Sequence, residues 1–113
     1  MVTIYEKPTC STCRNLGMLL KERGVEFEKI NYIIRGLTRP ELERLRALLG
    51  VPARALLRTR EPEYRELGLD ADVSDDVILD ALAAHPSLLQ RPIVVNGDRA
   101  VIARPAERVL EVL

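Results

Sequence analysis

The sequence predicts an α/β fold built on a four-stranded mixed sheet, and three features of the chain support this prediction. The apolar stretch 2–5 and the alternating stretch 25–33 have the pattern of strands, and an amphipathic segment from about 11 to 23 lies between them. Capped helical segments follow in the middle of the chain. Finally, Asn96-Gly97 separates two short apolar runs, which is a strong signal for a β-hairpin.

The helices in the middle of the chain are predicted from their capping residues. Thr38 and Glu41 have the spacing of a capping box, in which each residue binds the backbone N–H of the other. This signal starts a helix that runs to about Leu49. In the same way, Ser74 precedes a helical segment over 77–84.

The order of the predicted elements indicates a particular α/β architecture. Strands over 92–95 and 99–102 form the hairpin, and Pro105 starts a closing helix. A right-handed βαβ unit, then helices, then a ββα unit is the order of the thioredoxin-like fold. We therefore expect one thioredoxin-like domain over 1–113, with a helical insert at about 38–90.

Composition and charge exclude several function classes. The chain has 113 residues, and its 17 basic residues balance its 17 acidic residues, so nothing argues for binding to nucleic acid or a membrane surface. No apolar stretch has the length of a membrane span, and the start does not resemble a signal peptide, so we expect a cytoplasmic protein. Arginine outnumbers lysine, and its planar guanidinium binds oxyanions through paired hydrogen bonds.

Cys10 and Cys13 are the strongest candidates for chemistry, because they lie where the first strand leads into the first helix. Unpaired N–H groups and the helix dipole stabilise a thiolate there, so we expect a lowered pKa and a nucleophilic sulfur at Cys10. Arg14 adds a nearby cation, and the helical start at Ser11 and Thr12 offers N–H groups to an anionic substrate.

The Cys-x-x-Cys spacing has other interpretations. A zinc site needs two more ligands, and the chain has one histidine and no third cysteine, so we predict no metal. An inert pair remains open, but redox or nucleophilic chemistry is favoured because the strand, loop and helix signals agree on the location. Cys13 is either a resolving thiol or a small buried apolar residue.

Several separated motifs resemble the glutaredoxin-coupled arsenate reductases, and together they cover nearly the whole chain. They are Glu6-Lys7-Pro8-Thr9-Cys10, Cys13-Arg14-Asn15, Arg54-Ala55-Leu56-Leu57-Arg58, Glu63-Tyr64, Leu67-Gly68-Leu69, His85-Pro86, Leu88-Leu89-Gln90-Arg91-Pro92-Ile93-Val94-Val95, Arg104-Pro105 and Val109-Leu110. Motifs in the right order along a chain are far more specific than the cysteine spacing alone.

The resemblance implies a site. In that family one cysteine attacks arsenate and three arginines surround the oxyanion, and these positions correspond to Cys10, Arg58, Arg91 and Arg104. The resemblance also implies a cis peptide bond before Pro92. Physical chemistry supports the arginines, because a thiolate next to an anionic substrate costs about 4 kcal/mol per charge pair at an effective dielectric of roughly 20.

The resemblance further implies a reaction sequence and partners. Cys10 attacks arsenate, glutathione then attacks the adduct as co-substrate, and glutaredoxin restores the enzyme, with no bound cofactor. Alternatively, Cys13 resolves the adduct and thioredoxin reduces the resulting disulfide.

Two departures from the family pattern leave other functions open. Many members carry a histidine near the start of the loop, where Glu6 stands here, and we expect its carboxylate to point to solvent. Spx-type regulators of RNA polymerase share the fold and carry Cys-x-x-Cys. Because Cys13 completes this motif here, a redox-sensing regulator remains an alternative function. A general thiol–disulfide oxidoreductase is a third possibility. It predicts that turnover of a small disulfide substrate is unaffected by Arg58→Ala and Arg104→Ala.

Overall fold

The structure is a computed structural model that describes residues 1–113, and it contains one mixed sheet of four strands. The strands are β1 (Val2–Glu6), β2 (Phe27–Asn31), β3 (Ile93–Asn96) and β4 (Arg99–Ile102), in the spatial order β2-β1-β3-β4. Strand β1 pairs in parallel with β2 and antiparallel with β3, and β3 pairs antiparallel with β4. The predicted α/β fold with a four-stranded mixed sheet is therefore confirmed.

The chain divides into two compact units. The sheet unit consists of Met1–Arg35 and Arg91–Leu113, and the helical unit consists of Gly36–Gln90. No helix in either unit combines the length and apolar character that a membrane crossing requires.

Helix α1 (Ser11–Glu22) packs on the sheet through a leucine stripe. Leu16 and Leu20 are fully buried, and burying each contributes about 1.5–3 kcal/mol. Gly24, with φ of 68°, lets the chain turn back after the helix. The apolar core of the sheet unit is built from Val2, Ile4, Leu16, Leu20, Val94, Val101, Ala103, Ala106, Val109 and Val112. This core packs β1 against α1.

Strand β2 is shorter than the predicted 25–33. It ends at Asn31, whose Oδ1 accepts hydrogen bonds from the backbone N–H groups of Ile33 at 3.1 Å and Ile34 at 3.3 Å. These bonds start a helical turn, α2 (Tyr32–Arg35), in place of further strand. The predicted end of the strand was wrong because the alternation of apolar and polar residues does not show that the Asn31 side chain competes for backbone N–H groups with the hydrogen bonds of the sheet.

The C-terminal hairpin is present, and the closing helix differs in type. Asn96 pairs with Arg99, so Gly97 takes the first loop position with φ of 64°. The closing segment Ala106–Glu111 is a 3₁₀ helix, and the Asn96 Nδ2 donates to the carbonyl oxygen of Val112 at 2.6 Å.

The helical unit contains the predicted capped helices. They are α3 (Arg39–Leu49), with Thr38 as N-cap, and α5 (Asp75–Ala84), with Ser74 as N-cap. The unit also contains the short helix α4 (Pro62–Glu66), which has no side-chain cap, and 3₁₀ helices at Ala53–Leu56 and Pro86–Leu88. The capping box is confirmed, since the Glu41 N–H donates to Thr38 Oγ1 at 3.3 Å and the Thr38 N–H donates to Glu41 Oε1 at 3.1 Å. Arg39 links α3 to α5 through ion pairs with Asp76 and Asp80.

Candidate active site

Cys10 is the residue that immediately precedes helix α1. Its backbone is extended, with φ of −77° and ψ of 123°, and its carbonyl oxygen accepts from the Arg14 N–H at 3.1 Å. The Cys10 N–H donates to the Lys7 carbonyl oxygen at 2.9 Å, which closes the loop after β1 as a turn. No side chain forms a capping hydrogen bond at α1, so the backbone N–H groups of Thr12 and Cys13 are available to the Cys10 sulfur, and both lower the pKa of its thiol.

Arg104 brings a guanidinium from the far end of the chain to this sulfur. Its Nη2 donates to Cys10 Sγ at 3.6 Å, and its Nε donates to the carbonyl oxygen of Arg91 at 3.2 Å. One guanidinium therefore connects the thiol with the segment that enters β3. Each of these two arginines precedes a proline, and the peptide bonds Arg91–Pro92 and Arg104–Pro105 are both cis.

Arg91 is a buried cation without compensation. The residue is only 7% exposed, and its Nε and Nη1 have no hydrogen-bond partner. Burying an unpaired guanidinium costs several kcal/mol, so native proteins normally pair such a group with an anion. An oxyanion would supply an acceptor that this guanidinium lacks.

The surroundings of Cys10 favour its thiolate. Burial alone raises the pKa of the Cys10 thiol, but four contacts outweigh it and lower the pKa below its ordinary value. They are a hydrogen bond from the Cys13 side chain, the backbone N–H of Cys13, the charge of Arg104 and the backbone N–H of Thr12. This direction agrees with the expectation from the helix N-terminus.

Cys13 is held in the opposite state. It is fully buried, and burial is the main cause that raises the pKa of its thiol to about 12. Its hydrogen bond to Cys10 and the negative charges of Cys10 and Glu6 add to the increase, while the backbone N–H of Lys7 opposes it. Cys13 is therefore a protonated thiol that donates a hydrogen bond to the Cys10 sulfur.

Glu6 does not point to solvent, and that expectation was wrong. The residue is 5% exposed, and its Oε1 lies 3.8 Å from the Nζ of Lys29 on β2. Strand β1 pairs with β2 in a register that puts Glu6 opposite Asn31, two residues beyond Lys29, so the lysine side chain reaches the carboxylate along the sheet. Sequence reasoning missed this pair because the parallel register is not visible in the local pattern.

The other predicted site residues occupy different surroundings. Ser11 and Arg14 are exposed on the first turn of α1, and Thr12 is half-buried there. Arg58 belongs to the helical unit, where its Nε donates to Glu61 Oε1 at 3.1 Å.

In the sheet unit, the Cys10 thiol lies beside the Cys13 thiol and the Arg104 guanidinium, and that guanidinium also binds the backbone carbonyl oxygen of Arg91. The residues do not include any group of three or more His, Cys, Asp or Glu side chains arranged to hold a metal ion. The arrangement suits attack by a thiolate on a compact anion.

Comparison with known proteins points to one family. Residues 5–112 match the model of the ArsC family. Over 113 residues the chain is 42% identical to an arsenate reductase of Escherichia coli, covering 99% of this chain and 80% of that protein. A solved arsenate reductase from Vibrio cholerae superposes with a TM-score of 0.95 at 41% identity, covering 99% of this chain and 97% of that one. A putative arsenate reductase from Yersinia pestis superposes with a TM-score of 0.91 at 39% identity, covering 98% and 99%.

Proposed function

The chain belongs to the ArsC family, and from that premise we propose that it is an arsenate reductase in which Cys10 is the nucleophile. The observation that carries the proposal is the pairing of a thiolate-stabilising site with an unpaired buried cation. Arg104 contacts Cys10 Sγ at 3.6 Å, and Arg91 holds two buried nitrogens that need an anion.

Electrostatics supports the proposed role of both arginines in binding arsenate. Arsenate carries one to two negative charges at neutral pH, and each charge brought to about 4 Å from a thiolate costs about 4 kcal/mol at an effective dielectric of about 20. Two guanidinium groups offset most of that repulsion, and their planar donors match the tetrahedral oxygens. Arg58 keeps a proposed role as a further arsenate-binding residue, which rests on the family resemblance of Arg54 to Arg58.

The reaction requires two thiols for each arsenate. The Cys10 thiolate attacks arsenic(V), an S–As bond forms, and one oxygen leaves as water after taking up protons. A second thiolate then attacks the Cys10 sulfur, and the electron pair of the S–As bond passes to arsenic. Arsenite, with arsenic(III), leaves behind a disulfide on Cys10.

The structure favours an external thiol for the second attack. Burial is the largest cause that raises the pKa of the Cys13 thiol, and it still disfavours the Cys13 thiolate after Cys10 has reacted. We therefore propose glutathione as the co-substrate and glutaredoxin as the partner that reduces the mixed disulfide. We place this chemistry in the cytoplasm, where glutathione is kept reduced.

A coupled assay tests the proposal. NADPH oxidation is followed with arsenate, glutathione, glutaredoxin and glutathione reductase. We expect activity in the wild type, none in Cys10→Ser, and a loss of about 10²–10³-fold in Arg91→Met, because a preorganised charge contact is removed. Arg108→Met is the matched control, since Arg108 is exposed and pairs with Glu111. Arsenate-independent rates, or full activity in Arg91→Met, contradict the assignment.

A further inference from the structure

The backbone of Arg58 is held by a short antiparallel bridge in the helical unit. Leu57 pairs with Leu89, and the Arg58 N–H donates to the carbonyl oxygen of Leu88 at 2.7 Å. The Gln90 Nε2 donates to the carbonyl oxygen of Leu57 at 2.9 Å, so the peptide group that precedes Arg58 is also bound. The conformational freedom left to Arg58 therefore lies in its side chain.

The Glu61 carboxylate is the protein partner of the Arg58 guanidinium. The Arg58 Nε donates to Glu61 Oε1 at 3.1 Å, and the two side chains are only 21% and 25% exposed. The Nη1 and Nη2 groups of Arg58 take part in no hydrogen bond or ion pair. Neither of them is a buried atom without a partner, so both remain open to solvent.

A second arginine–glutamate pair with the same sequence spacing has a different geometry. The Arg108 Nε donates to Glu111 Oε2 at 3.0 Å, and its Nη2 donates to Glu111 Oε1 at 3.4 Å, so this exposed pair meets side by side. Glu61 instead engages a single nitrogen of Arg58. The outer end of the Arg58 guanidinium is thus left for another acceptor.

The free end of Arg58 has the shape that an oxyanion needs. Its Nη1 and Nη2 groups lie in one plane, and such a pair of donors matches two oxygens of a phosphate-like anion. An arginine side chain loses rotamer freedom when a ligand fixes it, and this loss weakens binding. The Glu61 contact orders the Arg58 side chain before any ligand binds.

We propose that Glu61 is a positioning residue, which holds Arg58 by its Nε so that the Nη1 and Nη2 groups are presented to an oxyanion. In its application to arsenate this inference rests on the proposed function, in which Arg58 is an arsenate-binding residue. Glu61 acts through Arg58, and its own negative charge disfavours an anion nearby. Removing Glu61 therefore has two opposite effects, which the test must separate.

Two neutral replacements of similar size separate the ordering of Arg58 from the charge of Glu61. Glu61→Gln keeps a side-chain oxygen that accepts from the Arg58 Nε, whereas Glu61→Met has no such acceptor. We expect the KM for arsenate in the coupled assay to be about two- to tenfold higher in Glu61→Met than in Glu61→Gln, because the anion must then order a free arginine side chain. The kcat values are expected to be similar, since the contact is made in the bound substrate as well as in the transition state.

Arg58→Met supplies the internal control. Without the guanidinium there is nothing for residue 61 to hold, so glutamine and methionine at this position are expected to give the same KM. Glu111→Gln and Glu111→Met are the matched surface controls at the Arg108 pair, and they are expected to give equal KM values. Glu61→Ala replaces Glu61→Met if the latter does not fold.

Equal KM values in Glu61→Gln and Glu61→Met overturn the proposal. A difference that persists in the Arg58→Met background also overturns it, because it indicates a change in packing that does not act through Arg58.

Protection of Cys10 from iodoacetamide by arsenate measures binding without turnover. It is followed in a Cys13→Ser background with no added thiol, and the dissociation constants of the two Glu61 variants are expected to differ by the same two- to tenfold. If arsenate protects this parent but the wild type reduces no arsenate with glutathione, the proposed function fails, while the ratio of dissociation constants still decides the role of Glu61. An absence of protection in the parent overturns the proposal.

Discussion

Arg104→Met removes the guanidinium that contacts the Cys10 thiol, and the effect on Cys10 can be worked out from the geometry. At the observed 3.6 Å between Arg104 Nη2 and Cys10 Sγ, a pair of unit charges interacts by about 5 kcal/mol at an effective dielectric of 20 and by about 1 kcal/mol in water. Arg104 is exposed, so solvent screening puts the value near the lower figure. A change of about 1 kcal/mol reduces the thiolate fraction about fivefold.

The assay is the initial rate of iodoacetamide alkylation across pH, measured in a Cys13→Ser background so that one thiol reacts. Loss of the cation raises the pKa of Cys10, so the profile is expected to move to higher pH. Rates at neutral pH fall about two- to threefold, because the more basic thiolate is about twofold more nucleophilic and offsets part of the fivefold loss of thiolate. Once Cys10 is fully ionised, the rates reach or exceed those of the parent. Arg108→Met controls for the loss of a surface arginine. Superimposable profiles for Arg104→Met and its parent would refute the electrostatic reasoning.

Two further predictions concern stability. Arg54→Met removes donors to the carbonyl oxygens of Leu69 and Ala71, each at 2.8 Å, and to the Tyr64 hydroxyl at 3.3 Å. Urea denaturation is therefore expected to show a free energy of unfolding that is lower by about 2–4 kcal/mol. A change below about 0.5 kcal/mol contradicts a role of Arg54 in holding this segment. Burial raises the pKa of Cys13 to about 12 from the ordinary 9.0, so its contribution to stability is complete below about pH 9 and is lost as pH rises toward 12. Thermal unfolding is therefore expected to fall more steeply over that range in the wild type than in Cys13→Val, and equal slopes contradict this.

The parts of the fold that sequence predicts well depend on local interactions. The capping box joins Thr38 to Glu41 within one helical turn, so its pattern is complete in four consecutive residues. The end of β2 was missed although its cause is also local. The Asn31 side chain accepts hydrogen bonds from the backbone N–H groups of Ile33 and Ile34. The prediction relied on the alternation of apolar and polar residues and did not use Asn31 as a capping signal.

In the candidate site, too, the sequence predicts the features that depend on local interactions and misses those that depend on distant residues. The location of Cys10 before a helix, and the lowered pKa that follows, can be derived from the strand and helix pattern. The burial of Glu6 cannot, because it depends on Lys29 from a strand 23 residues later in the sequence, whose register the pattern does not reveal. The unpaired nitrogens of Arg91 likewise result from packing around the residue rather than from its immediate neighbours.

The contact between Arg104 and Cys10 spans 94 positions of sequence, which links the chemistry of the sulfur to completion of the tertiary structure. Most cysteines in proteins are shielded when the chain is folded and become more reactive when it opens. Here the two thiols change in opposite directions: opening exposes Cys13, whereas Cys10 loses the helix N–H groups and the cation that activate it. The ratio of the labelling rate of Cys10 to that of Cys13 therefore decreases as the native structure opens, so this ratio reports on the integrity of the fold.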